Sequence, residues 1–272
     1  MTDEHLMTGD WAQESEDYDF LSALPPVPMD DEIWKAFQRP ADIDIDWHHT
    51  ENQGSIGSCQ GHSLSSVLER LAFVGGDKIQ LSEIFAYLGT QKIDGLLGSD
   101  RGSTISGGCK LAVDVGCCLE SLTGYPRSYP GRAERERILS GSNYEAAAIY
   151  KAKSAWKVPD DHNALLDFIG GGGGVNFGIT WYSGMIPRDR IVQSYNPGRG
   201  GGGHAMCILG YDSEGNLRAA NSHSDGPYLI TAKAWHQIMQ SRSTAAIGLM
   251  GNPEAKPVNW YENSPYYKIK EK

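Results

Sequence analysis

The pattern of apolar residues changes character midway along the chain, and that change limits the folds open to it. In the first half Leu64, Val67, Leu68, Leu71 and Ala72 recur at helical spacing, so about 59–74 reads as a buried amphipathic helix. Ser58 stands where a capping residue would, and Gly75-Gly76 where a helix would end. Further helices are expected around 82–91, with Ile84, Phe85 and Leu88 on one face, over 108–116 and 162–169, and within 133–150. In the second half 175–182, 204–211, 217–220 and 228–231 read as strands, separated by glycine-rich runs at 170–174 and 198–203. Helices first and antiparallel strands after predict an α+β fold of two packed halves. A cleft between such halves is a natural place for a site.

Charge divides the chain differently. Residues 1–38 hold ten acidic side chains against one basic, Lys35, whereas the remainder holds 24 acidic and 23 basic ones. The segment also contains the break Pro25-Pro26-Val27-Pro28 and five large aromatics, Trp11, Tyr18, Phe20, Trp34 and Phe37. It reads as an acidic N-terminal arm, either loosely packed or docked on a surface, preceding a globular part over 39–272. Within that part the helical half is expected at about 48–125 and the sheet half at about 150–250. No basic stripe exists for nucleic acid, and no apolar run is long enough to cross a bilayer. The acidic, polar start does not resemble a secretory signal. A protein partner or an assembly could engage through 1–38.

The five cysteines, Cys59, Cys109, Cys117, Cys118 and Cys207, are odd in number and few for the length. They do not suggest a disulfide framework and point to a reducing compartment, with one thiol held for chemistry. No Cys-x-x-Cys pair occurs, and His204 and Cys207 would face opposite sides of a strand, so no metal site is expected.

Cys59 follows Gly57-Ser58 and opens the first long helix. A helix N-terminus favours an anion, and a thiol reacts as its thiolate. His204 follows Gly201-Gly202-Gly203 at the start of a strand, where an imidazole can reach a cleft and take a thiol proton. Asn221, at the end of the next strand, could hold that imidazole in one orientation. Gln53, six residues before Cys59, could donate to an oxyanion together with the Cys59 backbone N–H. Taken singly, Cys59 reads more readily as a small core residue and His204 as a structural histidine.

Their joint order resembles the papain family of cysteine peptidases. Ile45-Asp46-Trp47, then Asn52-Gln53-Gly54-Ser55-Ile56-Gly57-Ser58-Cys59, is similar to that family's mature start. Leu81-Ser82-Glu83, His204-Ala205 with Gly210-Tyr211, and Asn221-Ser222 resemble later family motifs. His204 and Asn221 lie 145 and 162 residues beyond Cys59, close to the family separations. The resemblance spans most of 40–231. It implies a two-lobed papain-like fold, with Cys59 on a helical lobe and His204 and Asn221 on a sheet lobe. It implies Cys59, His204, Asn221 and Gln53 as catalytic residues, with Gly57 and Ser58 beside the nucleophile. It also implies Gly107-Gly108 as the backbone along which an extended peptide or protein substrate lies, with no cofactor.

Several positions depart from the family pattern. Ile56 stands for a disulfide cysteine, Gln60 for an aromatic, Gly61-His62 for Ala-Phe, and His223 for the tryptophan that shields the His–Asn bond. His62 is read as a polar residue lining the cleft, Trp181 as core packing, and the His223 exchange as opening Asn221 to water. The arm is shorter than the family's propeptide. Alternatives to a peptidase are an amidase or cell-wall peptidase with the same triad, and a weakly active or inactive structural part, for example of a virus particle. A cytoplasmic or virion location fits either. Autoinhibition by the arm is a further possibility, in which removing 1–38 raises activity.

Overall fold

The computed structural model describes residues 11–49, 51–182, 185, 189–197, 201–223 and 226–263. Residues 1–10 of the acidic arm and 198–200 of the second glycine run lie outside these.

The helical half forms around α3, after two short arm helices, α1 (Tyr18–Ala23) and α2 (Glu32–Ala36). Helix α3 (Cys59–Val74) begins at Cys59 itself, and nearly all of its surface is buried. It is therefore a central helix with almost no solvent-exposed face, and its polar side chains are buried with its apolar ones. Ser58 occupies its N-cap position, but the Ser58 side chain makes no capping bond and turns to the Tyr125 hydroxyl at 2.6 Å. Helix α4 (Glu83–Asp94) packs across α3, capped by Ser82 Oγ accepting from Phe85 N and ended by left-handed Gly95. The two helices meet at Gly61, where a Cβ would lie 2.6 Å from the Glu83 carbonyl and 2.7 Å from Tyr87 Cβ. This is why glycine replaces a larger residue there. Helices α5 (Ile105–Asp114), α6 (Arg132–Ile138) and α7 (Gly141–Ala147) complete the half. The region 133–150 thus holds two helices.

The other half is a seven-stranded sheet among the described residues. Its strands are β1 (Ser154–Trp156), β2 (Gly174–Trp181), β3 (Ile191–Val192), β4 (Gly202–Tyr211), β5 (Leu217–Ala220), β6 (Tyr228–Ile230) and β7 (Ala245–Met250). They run in the order β1-β7-β2-β4-β5-β6-β3, antiparallel except for β3 beside β6. Helices α8 (His162–Gly170) and α9 (Ala232–Met239) flank it. Strand β4 is central, and its side chains alternate between two cores: Ala205, Cys207 and Leu209 join the helices, whereas Met206 and Ile208 join the sheet's other layer. The buried Arg70 ties α3 to the sheet half, donating to the Gly173 and Ile169 carbonyls at 2.6 Å each.

The described arm is docked along both halves. Trp11, Leu21, Val27 and Trp34 are buried, and Trp34 Nε1 donates to the Ala255 carbonyl at 2.7 Å. Residues 11–38 thus pack on the rest of their own chain. All five cysteines are buried, and none is joined in a disulfide. No described helix is long and apolar enough to cross a membrane.

Candidate active site

The sequence-derived residues converge where α3, β4 and the end of β5 meet. Cys59 heads α3, and its Sγ accepts the Ala205 backbone N–H at 3.3 Å, directly beside His204. The pairing of β4 with β5 sets Ala220 opposite Cys207, which brings Asn221 back towards the start of β4. His204 Nε2 and Asn221 Oδ1 are 2.7 Å apart, with the two residues only 4% and 6% exposed. The bond leaves Nδ1 as the ring nitrogen available to a second partner. Burial first, and then the neighbouring His223, push the His204 pKa down to about 3, while the Asn221 bond works the other way. The ring is thus a neutral base near pH 7.

The shielding of this pair differs from expectation. His223 stacks on His204 with centroids 4.8 Å apart, and Trp181 meets the same ring edge-on at 4.9 Å. The bond is accordingly short, and His223 and Trp181 cover the His204 ring in the absence of a tryptophan after Ser222. Trp181 is core packing, as read from sequence, and the edge of that core also touches His204.

Gln53 is held to the same turn. Its backbone N–H donates to the Ser222 carbonyl at 2.8 Å, Ser222 Oγ donates to Gln53 Oε1 at 2.6 Å, and Gln53 Nε2 donates to the Ile56 carbonyl at 2.9 Å. The Tyr125 hydroxyl links the Gln53 carbonyl at 3.0 Å to Ser58 Oγ. Gly57 N donates to Asp100 Oδ1 at 3.0 Å, which fixes the turn leading into Cys59. Gln53, Gly57, Ser58, Cys59, His204 and Asn221 are therefore one connected group. Tyr125 and Asp100 escaped sequence reasoning, because a lone hydroxyl or carboxylate far along the chain carries no spacing signal.

Two expectations need correction. Gly107 and Gly108 lie inside α5 and are buried, with their N–H groups bonded to Thr104 Oγ1 and the Thr104 carbonyl. A Cβ on either would overlap Asp94 or Gln60. Their backbone is consumed by the helix and is not open to an extended ligand. The extended backbone facing β4 is instead at Ser103, whose Oγ donates to Gln60 Oε1 at 2.9 Å. His62 is the second correction: it is buried against Glu51, Nδ1 to Oε2 at 2.7 Å, and does not line a cleft.

Between Ser103 and Gly203 runs the arm. Trp11 bridges to Ser103 in parallel, Trp11 N donates to the Gly203 carbonyl at 3.2 Å, and Ala12 N donates to the Ser103 carbonyl at 3.1 Å. The Trp11 indole packs on Gly178, where a Cβ would lie 2.6 Å from the ring. Glu16 anchors the segment by accepting Ile105 N and Ser106 N at the start of α5, at 2.8 and 2.7 Å, and also Trp11 Nε1.

Comparison with known proteins yields structural likeness only, because neither protein-family models nor curated proteins give a match. Xylellain, a cysteine protease from Xylella fastidiosa, aligns over 87% of this chain and 89% of its own, at 22% identity and TM-score 0.63. Procathepsin B from Trypanosoma congolense aligns over 93% and 88%, at 18% identity and TM-score 0.61. A Carica candamarcensis cysteine protease, solved in complex with E-64, aligns over 78% and 99%, at 19% identity and TM-score 0.56. The chain has the papain-like α+β fold.

Proposed function

We propose that this chain is a papain-like cysteine peptidase held in check by its own arm. The observation that carries the reading is the buried 2.7 Å contact between His204 Nε2 and Asn221 Oδ1, with Cys59 Sγ against the adjoining Ala205 amide. In this reading Asn221 holds the imidazole so that Nδ1 faces the thiol. The Cys59 proton passes to Nδ1 as sulfur attacks the substrate carbonyl. The Cys59 N–H and the second hydrogen of the Gln53 amide stabilise the oxyanion; losing one such donor costs about 3–4 kcal/mol. The imidazolium then returns its proton to the leaving amine. Water, activated by the same ring, hydrolyses the thioester.

The substrate class that suits the site is an extended peptide. Trp11 already pairs as a strand with Ser103 and bonds to Gly203, so the groove accepts extended backbone on both sides. A substrate would have to displace 11–16, and this favours the autoinhibited reading over a permanently inactive structural part. Incubation with denatured casein, followed by mass spectrometry, tests the proposal. Peptide products formed by wild type and absent with Cys59→Ala support it. Equal product from both, or none even after 1–16 are removed, refutes it.

A further inference from the structure

Beneath the nucleophile helix, three segments gather six titratable side chains that the proposed chemistry does not use. His48, His49 and Glu51 come from the irregular stretch leading to Gln53, His62 and Glu69 from α3, and Glu83 from the first residue of α4. Glu51, Glu69, Glu83 and His62 are all 2–4% exposed. Three carboxyl groups this deeply buried need a compensating charge or a proton each. Among the described residues no lysine or arginine forms an ion pair with any of them, and the two ion-pair contacts come from His48 and His62 to Glu51. Burial pushes the Glu51 and Glu83 carboxyls up to about 8 and the His62 imidazole down to about 4.

The hydrogen-bond inventory leaves specific atoms over. His62 Nδ1 is bonded to Glu51 Oε2, His48 Nε2 to Ser66 Oγ at 2.9 Å, and Glu69 Oε1 to Leu81 N at 2.8 Å. Glu51 Oε1, Glu83 Oε2 and His62 Nε2 remain buried with no hydrogen-bond partner among the described residues, with His48 Nε2 3.9 Å from Glu51 Oε1 and the Glu83 carboxyl near enough to Glu51 to share a proton. Buried polar atoms without partners are uncommon and point to something that completes them. Donor atoms of His49, Glu51 and Glu83 lie within 4.8 Å of one another, as do those of His48, Glu51 and Glu69. Ligand atoms of a tetrahedral zinc stand about 3.3 Å apart, given bonds of about 2.0–2.1 Å, so the cluster would draw in by up to about 1.5 Å to form a coordination shell.

We propose that His49, Glu51 and Glu83 bind a divalent transition-metal ion of the zinc class. This trio is preferred over the His48 trio because it contains both orphaned carboxylate oxygens, and because exposed His49 gives the ion a path from solvent. An imidazole among carboxylates suits zinc and its neighbours, whereas calcium and magnesium take oxygen ligands. His62, bonded through Nδ1 to Glu51, orients the central ligand from outside the shell. The ion would clamp His49 and Glu51 to the start of α4, with α3 tied in through the His62–Glu51 bond. Glu51 is two residues from Gln53, so the clamp would steady the loop that carries Gln53. The absence of paired cysteines, which argued against a metal from sequence, does not bear on a site built from histidine and glutamate.

The test uses untagged full-length Cys59→Ala protein, so that the thiol beside His204 cannot compete. Zinc chloride is titrated by calorimetry and cobalt(II) by visible absorption. The expected result is one ion per chain, cobalt d–d bands without thiolate charge transfer, and a raised thermal midpoint in zinc. Adding Glu51→Gln should weaken binding by about 100-fold, and Glu83→Gln by at least about tenfold. No saturable binding, or binding that survives both glutamine substitutions, overturns the proposal and leaves Glu51 and Glu83 as a proton-sharing pair. If the glutamine variants do not fold, X-ray absorption on the zinc-loaded Cys59→Ala protein decides. A nitrogen and oxygen shell with an imidazole supports the site, and sulfur in the shell overturns it. The outcome is independent of peptidase activity, since the protein tested has no nucleophile.

Discussion

His204 on β4 and His62 on α3 are buried alike at 4% and 3%, and each makes a 2.7 Å contact to a side-chain oxygen. They differ in what that oxygen belongs to. The Asn221 amide cannot ionise, and it is fixed in turn by Ser222 N, which donates to the same oxygen at 3.0 Å. Its partner imidazole is free to gain and lose a proton while staying in place. Glu51 can ionise, sits beside two more buried carboxyls, and leaves one oxygen unpartnered. There the imidazole is bound up in a shared charge problem that only a proton or a cation resolves.

Substitutions at the two histidines should separate them most widely. His204→Ala should lower kcat/KM by about a thousandfold or more, the scale for losing a triad member. His62→Ala should act on thermal midpoint and zinc affinity with far less effect on kcat. A steady-state comparison of the two variants, in which both collapse turnover equally, would erase the distinction.

The arm offers the next largest effect. Deleting 1–16 removes Trp11 and Glu16 from the groove, and kcat/KM should rise by about tenfold as the competent population grows. Deletion of all of 1–38 is a poorer test, because Leu21, Val27 and Trp34 belong to the core. An unchanged rate in the shorter deletion would mean that substrate enters without displacing Trp11.

Trp181→Ala should be smaller. It removes the edge-on ring contact at His204 and admits water to the Asn221 bond, for a fall in kcat/KM of about fivefold. The loss should appear in kcat more than in KM, read from saturation curves.

The last effect is on stability and concerns the Glu51 side of the comparison in chelator-treated protein. Glu51 and Glu83 have native pKa values near 8, above the ordinary 4.5. Their contribution is full below the unfolded value and is lost as pH rises through about 8. His48, His62 and His204 are lowered to about 3, 4 and 3, so their contribution is full above 6.5 and is lost as pH falls towards those values. Between 4.5 and 6.5 the two trends oppose each other, and above 6.5 only the carboxyls act. The thermal midpoint should therefore be lower at pH 8.5 than at pH 6 by about 5 °C. Glu83→Gln should flatten that slope, and a slope that is the same in the variant would remove Glu83 from the cluster.

Much of this arrangement was legible in the chain. Period-3.6 patterning placed α3 from its first residue to its last, and β5 was placed at both ends, because strong amphipathic or buried runs report their own boundaries. The short strands β1 and β3 were missed, since two or three residues carry no period, and β7 and α9 were also left unassigned. Gly107-Gly108 misled because a glycine pair states close approach without saying to what; here the neighbours are Asp94 and Gln60 inside the protein. The run His48-His49-Thr50-Glu51 was visible, yet its meaning depends on Glu69 and Glu83, which only the crossing of α3 and α4 brings near. Tyr125 and Ser103 likewise acquire their roles through tertiary contact alone.

The central claim is that His204, held by Asn221, activates Cys59 beneath the arm. The most direct measurement is the second-order rate of Cys59 alkylation by an epoxysuccinyl peptide, in full-length protein, in the 1–16 deletion, and in that deletion carrying His204→Ala. The account expects slow labelling of the full chain, fast labelling of the deletion, and loss of the fast reaction with His204→Ala. Equal rates in all three, at the level of an ordinary thiol, would contradict it.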